Sequence, residues 1–375
     1  MLKNPFKPTM GMTPPLLVGR EDILDEVQFA LDNGPGTHER VTVITGPRGI
    51  GKTVLLNAIE DLALQRGWVY FSETATKGFL PRLIGSAQAK ITELAPKPKR
   101  KLTGLSISGA GGLDWENVEH TASPSSLREN LTRLLDLIDE TDAKLRQETG
   151  LFITLDELHH LQRDEIIELA TTVQHLIRES RNIALFMAGI PGSVKPLLGD
   201  NAGRNPITFL RRANRVTLGR VDTDFVREGL AVPVQNLGLR WDEDALDEAA
   251  TACDGYPFMI QLVGQYSFAA RQGDTITAAS VRAGISRART KLGQLVHEPA
   301  LADLSEKDRV FLGFMAEDEE DSAVAEIADR MGVSAQYANN YRRRLIDAEM
   351  IEPTQRGRVK FALPYLREYL RENYS

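Results

Sequence analysis

Gly46, Gly51, Lys52 and Thr53 satisfy the spacing G-x-x-x-x-G-K-[ST], in a run that also holds Pro47, Arg48, Gly49 and Ile50 and leads into Val54. That spacing suits phosphate. Small residues let main-chain N–H groups curl around anionic oxygens, and a following helix adds the positive end of its dipole. Lys52 has the reach for β- and γ-phosphate oxygens, and the Thr53 hydroxyl suits magnesium. Farther on, the apolar run Phe152, Ile153, Leu155 ends in Asp156-Glu157. Asp156 suits a hydrated magnesium ion and Glu157 suits the polarisation of an attacking water, because phosphoryl transfer depends on positioning and charge neutralisation. The plainer alternatives are a glycine-rich turn and two solvated carboxylates at a strand end. Neither accounts for the ordered pair of motifs.

Such residues need a sheet with helices. "VTVIT" stands directly before the glycine run, and "WVYFSET", "LFITLDE", "NIALFMAG" and "NRVTLGRV" follow, separated by amphipathic stretches. This alternation predicts an α/β fold, a parallel sheet covered by helices. Residues 1–15 are proline-rich and read as an extended arm, lying on the domain or on a neighbour. The glycine-broken segment near 100–120 reads as an inserted hairpin. Ser123-Pro124 then suits the start of a long helix through about Gln147. After Val221 only helical patterns appear until about Pro299. Near Ser305 a new unit begins, with Asp308 at capping-box distance. The expected divisions are 1–15 arm, 16–221 phosphate-binding domain, 222–300 helical lid and 301–375 terminal unit.

Composition narrows the classes. The chain of 375 residues has room for two or three cores, and its formal charge of -7 argues against indiscriminate coating of nucleic acid. Cys253 is the single cysteine, which excludes an internal disulfide and fits a reducing cytoplasm. Neither a signal peptide nor a membrane span is expected. His159 and His160 point to different faces without a third ligand, so zinc is not expected there.

The two motifs, with "LLVGRE" at 16–21 and Gly255-Tyr256-Pro257, resemble the AAA+ and STAND-type P-loop ATPases, in the branch with an additional strand and a catalytic glutamate (ASCE). The GTPase signature N-K-x-D is absent. The resemblance runs from residue 14 to about 295 and implies ATP and magnesium as ligands, Val18 and Gly19 bordering the adenine, and Pro257 as part of a lid signature. It also implies an arginine finger offered to a neighbouring subunit. Arg211 or Arg212, beside Arg215 and just before the fifth strand, stands in that position, although the same arginines would serve to hold helix-end carbonyls. Two departures stand out. Gly189-Ile190-Pro191 replaces the usual polar residue after the fourth strand, leaving Ser193 as the nearest hydroxyl, and no arginine accompanies Gly255-Tyr256-Pro257 as a second sensor. Slow hydrolysis or a nucleotide switch follows from both.

Residues 305–350 read as three helices and "IEPTQRGRVKFALP" as two strands turning at Arg356-Gly357, an order that looks like a winged helix. Ala338, Tyr341 and Leu345 repeat at core spacing. Gln336, Asn339, Asn340 and Arg343 are left outward for base edges and phosphates, with Arg356, Arg358 and Lys360 on the wing. Origin-recognition-type initiators have the same order of P-loop sheet, lid and winged helix. The expectation is an ATPase whose ATP/ADP state controls self-assembly and engagement of double-stranded DNA. The alternatives are a signalling switch, or a regulator of a partner machine such as a transposase, in which the winged helix contacts protein.

Overall fold

The computed structural model describes residues 2–9, 11–96, 126–158, 162–198 and 209–374. The five apolar runs become β1 (Val41–Thr45), β2 (Val69–Thr74), β3 (Leu151–Asp156), β4 (Ile183–Gly189) and β5 (Asn214–Thr217). They pair in parallel in the order β2-β3-β4-β1-β5. β4 therefore separates the strand feeding the glycine run from the strand ending in Asp156. Thr45 stands opposite Gly189, and Leu155 opposite Met187, so the three strands finish along one edge, the usual place for a ligand in an open parallel sheet.

β3 and β4 are buried almost throughout, as strands covered on both faces must be. The Phe152 and Phe186 rings stack at 5.0 Å between them. One helix layer includes Lys52–Gln65, which packs against β3, β2 and β4. On the other face Phe79–Leu94, Leu127–Leu145 and Arg163–Arg178 form a second cluster with Ile153, Leu155 and Met187.

The long helix departs from expectation at its start. It spans Leu127–Leu145, and its cap is Ser126, closed by a reciprocal capping box with Glu129. The box satisfies two end amides at once. Ser123-Pro124, the hairpin expected near 100–120 and the pair His159 and His160 lie outside the described residues.

Beyond β5, the helices Thr223–Gln235, Glu243–Cys253, Pro257–Ala269 and Ala278–Leu292 pack together. This stretch is not purely helical. Two-residue strands β6 (Arg240–Trp241) and β7 (Thr275–Ile276) pair in parallel, too short to leave a period-2 pattern in the sequence. A π-helical turn, Gly293–His297, leads onward.

The terminal unit holds helices Glu306–Ala316, Val324–Arg330 and Ala335–Asp347, with β8 (Ser322–Ala323), β9 (Ile351–Pro353) and β10 (Arg358–Phe361) in an antiparallel sheet ordered β8-β10-β9. Ser305 caps the first helix through the Asp308 amide. β8 and a closing helix Leu366–Asn373 add to the three helices and two strands expected. One continuous apolar core runs from Phe6 through Leu55, Phe152 and Met259 to Leu345 and Leu370.

Candidate functional site

β1 delivers the glycine run to the helix Lys52–Gln65, whose cap, Gly51, has φ 97°, a region that residues with a Cβ rarely enter. The first-turn amides of that helix lack intrahelical acceptors and concentrate positive potential. Gly49, at φ 74°, has a further reason to be glycine, since a Cβ there would overlap the Tyr256 hydroxyl. That hydroxyl donates to the Arg48 carbonyl, so the cap of the helix Pro257–Ala269 braces the loop.

The Thr53 hydroxyl donates to Asp156 Oδ2 at 2.6 Å, joining two motifs that lie 103 positions apart. Asp156 Oδ1 accepts the Glu157 amide at 2.7 Å, and Glu157 takes φ 61°, which turns the chain sharply at the strand tip. Lys52 Nζ donates to the carbonyls of Gly46 (2.5 Å) and Pro47 (3.0 Å). Burial pulls the Lys52 ammonium below its ordinary value, offset in part by the carboxylates of Glu349, Asp156 and Glu157. Burial pushes Asp156 up, against the hydrogen bonds from Thr53 and the Glu157 amide.

Lys52, Thr53 and Glu157 border a cavity of about 380 Å³, within the usual span for small-molecule sites. Arg48, Gly49, Ile50, Gly51, Lys52, Thr53, Val54 and Glu157 line it, together with Gly189 and Ile190 at the tip of β4. Leu16, Leu17, Val18, Pro257, Phe258, Ile260 and Val296 add apolar lining. Gly19 stands just outside the lining, against Val221 and Phe225. Gly46 and Pro47 serve as Lys52 acceptors, and Asp156 is reached through Thr53. Ser193 is buried.

The proline-rich arm lies on the helix Pro257–Ala269 of its own chain. Asn4 Nδ2 donates to the Gln265 carbonyl (2.9 Å) and the Lys7 amide to Gln261 Oε1 (3.1 Å). Phe6 is only 3 % exposed, and Lys7, Thr9, Gly11 and Met12 contribute to the cavity lining. The contribution of the arm, of Gln261 and of Leu295-Val296 was missed in the sequence because no spacing rule links them to the glycine run. Phe6, an aromatic residue in a proline-rich arm, was the one available signal.

Arg211 and Arg212 stand on a short turn, Leu210–Arg212, before β5, and the Arg215 guanidinium donates to the Arg211 carbonyl at 3.2 Å. Among the described residues that line the cavity, none of these three appears. On the terminal unit, Gln336, Asn339, Asn340, Arg343 and Arg356 are exposed, while Ala338, Tyr341 and Leu345 are buried. Arg358 pairs with Asp321 at 2.8 Å and Lys360 with Glu352 at 3.0 Å. Arg344 reaches back to Asp308 at 2.6 Å.

Residues 16–186 match the family model of the AAA ATPase domain. This segment is an AAA P-loop ATPase domain. Its class of activity is ATP hydrolysis. Residues 294–370 match a domain of unknown function, DUF8462. Over the whole chain, the fold is similar to that of a Walker-type ATPase of Pyrococcus abyssi, 18% identical, with 95% of this chain and 96% of that chain covered and a TM-score of 0.67. Cdc6p from Pyrobaculum aerophilum (17% identical, 97% and 96% covered, TM-score 0.47) and the Thermotoga maritima RuvB Holliday junction branch migration motor (16%, 94% and 95%, TM-score 0.46) are more distant. Likeness at that level carries nothing further to the ATPase domain. No curated protein matches the chain. Among the described residues no helix is long and apolar enough to cross a membrane.

Proposed function

We propose that the chain is a magnesium-dependent ATPase whose nucleotide state controls assembly and the engagement of double-stranded DNA by a C-terminal winged helix. The observation that carries the nucleotide reading is the Thr53–Asp156 hydrogen bond of 2.6 Å beside a cavity lined both by the glycine run and by apolar side chains. A triphosphate would lie with its oxygens against the loop amides and Lys52, and with its base toward Val18 and Phe258.

A hydroxyl and a carboxylate are the hard oxygen donors magnesium prefers. Among the described residues no cluster of three or more His, Cys, Asp or Glu could hold a metal ion by itself. That suits an ion held chiefly by phosphate and water, with Thr53 and Asp156 as its protein contacts. Bound there, magnesium would offset charge on the transferring phosphoryl group. Lys52 holds the phosphate oxygens, and Glu157 orients the attacking water and takes its proton. Arg211 or Arg212 of a neighbouring copy supplies the remaining positive charge, which ties turnover to assembly.

The exposed Gln336, Asn339, Asn340 and Arg343 support the DNA reading, with Arg356, Arg358 and Lys360 on the wing. A second reading, a switch or regulator that uses the terminal unit for protein contacts, is favoured by the pairing of Arg358 and Lys360 with acidic neighbours. One set of measurements separates them: ATP turnover and duplex binding across a salt series, for wild type and Glu157→Gln. Turnover of the variant is expected to fall by about 10²–10⁴-fold with ATP still bound. Log affinity for DNA is expected to fall with log salt at about 0.9 per phosphate contact. Equal turnover refutes the role of Glu157. A lack of salt-sensitive binding removes DNA and leaves the switch.

A further inference from the structure

The proline-rich arm joins two helices that both line the cavity. At one end it is held by the helix Pro257–Ala269, through the bonds from Asn4 Nδ2 to the Gln265 carbonyl and from the Lys7 amide to Gln261 Oε1. Asn4 Oδ1 in turn accepts the Phe6 amide at 3.1 Å, which fixes the chain where it delivers the ring. Phe6 packs on Gly264, where a Cβ would overlap that ring. At the other end the Gly11 carbonyl accepts Asn57 Nδ2 at 2.7 Å. Asn57 belongs to the helix Lys52–Gln65, one turn beyond Thr53. Lys7, Thr9, Gly11 and Met12, which lie within this span, line the cavity together with Thr53 and Gln261.

The arm is tied to two elements yet held by one side chain. Among the described residues from 2 to 15, Phe6 alone is buried. Segments with so few buried contacts open at low cost while the rest of the fold stays intact. Pro5 and Pro8 flank the anchor, and the fixed φ of each ring limits the freedom the arm gains when it lets go. Such a segment can detach and return as a unit.

We propose that the arm is a strap over bound nucleotide, closed by the Phe6 ring against Gly264, and that its release sets the rate at which nucleotide enters and leaves. The proposal rests on the ATP reading above. A nucleotide held by the loop amides and Lys52 has the arm as one wall of its cavity, so passage on that side requires the Phe6 anchor to give. Opening of such segments often limits turnover through product release. The strap closes through contacts with protein, on the empty and the filled cavity alike. Loosening it therefore speeds entry and exit together and leaves affinity nearly unchanged. A residue that only touches the ligand acts chiefly on exit.

The test uses the full chain with Phe6→Ala, which empties the contact, and with Gly264→Ala, which fills it. Association and dissociation of radiolabelled Mg-ADP are followed by rapid filtration, with no bulky label to disturb the strap. Both variants are expected to raise both rate constants about tenfold, with the dissociation constant changed by less than about threefold. If Gly264→Ala does not fold, deletion of residues 2–7 serves as the second variant with the same expectation. Unchanged rates overturn the proposal. Faster dissociation with unaltered association overturns it too, since the arm is then a wall of the site and no gate. A wild type that binds neither ADP nor ATP overturns the ATP reading itself, and this inference with it.

Discussion

The phosphate loop and the outward face of the helix Ala335–Asp347 carry similar side chains, cations and small polar groups, yet the fold treats them oppositely. Around the loop, Lys52, Thr53, Asp156 and Tyr256 each engage a partner from the same chain, and burial displaces the ionisation of Lys52, Asp156 and Tyr256. On the helix, Gln336, Asn339, Asn340 and Arg343 stand in solvent. Buried polar groups are costly to disturb and confine the ligand they fit. Exposed ones cost little to change and report only on what docks against them.

The sharpest way to break this contrast is Lys52→Ala. Nucleotide affinity is expected to fall on the order of a hundredfold, as for truncation of one partner of a buried charge pair. Stability without nucleotide should hold or rise, since a desolvated ammonium is removed. Calorimetric titration and urea unfolding read the two quantities, and a loss of both together would mean that Lys52 is mainly structural.

A second effect lies where cavity and terminal unit meet. His297 Nε2 donates to the Pro364 carbonyl at 2.9 Å, and burial holds the ring neutral, with its pKa lowered from 6.5 to about 4. The unfolded chain takes up the proton first, so stability should be lost as pH falls from about 6.5 to about 4, by about 3 kcal/mol in all. His297→Asn should remove that share of the pH dependence in denaturant titrations. An unchanged slope would place the acid sensitivity elsewhere.

Smaller still, Tyr256→Phe leaves the Arg48 carbonyl without its donor, an expected loss of about 1–2 kcal/mol with weaker nucleotide binding. Smallest is Arg343→Ala. It should change stability by less than about 0.5 kcal/mol while lowering the salt slope of DNA binding by about 0.9. A stability loss there as large as that of Tyr256→Phe would erase the distinction between the two regions.

The legibility of the fold follows the same divide. Strand runs such as "VTVIT" and "LFITLDE" were readable because a strand covered on both faces must be apolar nearly throughout. The capping of the long helix by Ser126 was misplaced to Ser123-Pro124, because both offer plausible first-turn chemistry and only the packed helix selects between them. β6 and β7 carry too few residues for any periodicity. Proline marked the arm as extended, but its place beside the cavity lies in contacts distant along the chain.

By itself, then, the order of residues determined which side chains could grip phosphate, which runs would form the sheet and which helix face would stay polar, because these depend on local spacing and on the alternation of apolar and polar groups. Tertiary structure alone decided that Thr53 meets Asp156, that Tyr256 packs against Gly49, that the arm lies on the helix Pro257–Ala269 and that the turn after Ala335–Asp347 meets Gly192 beyond β4. Such meetings are set by how helices and strands pack around a shared core, where burial and charge act through space and sequence separation has no bearing.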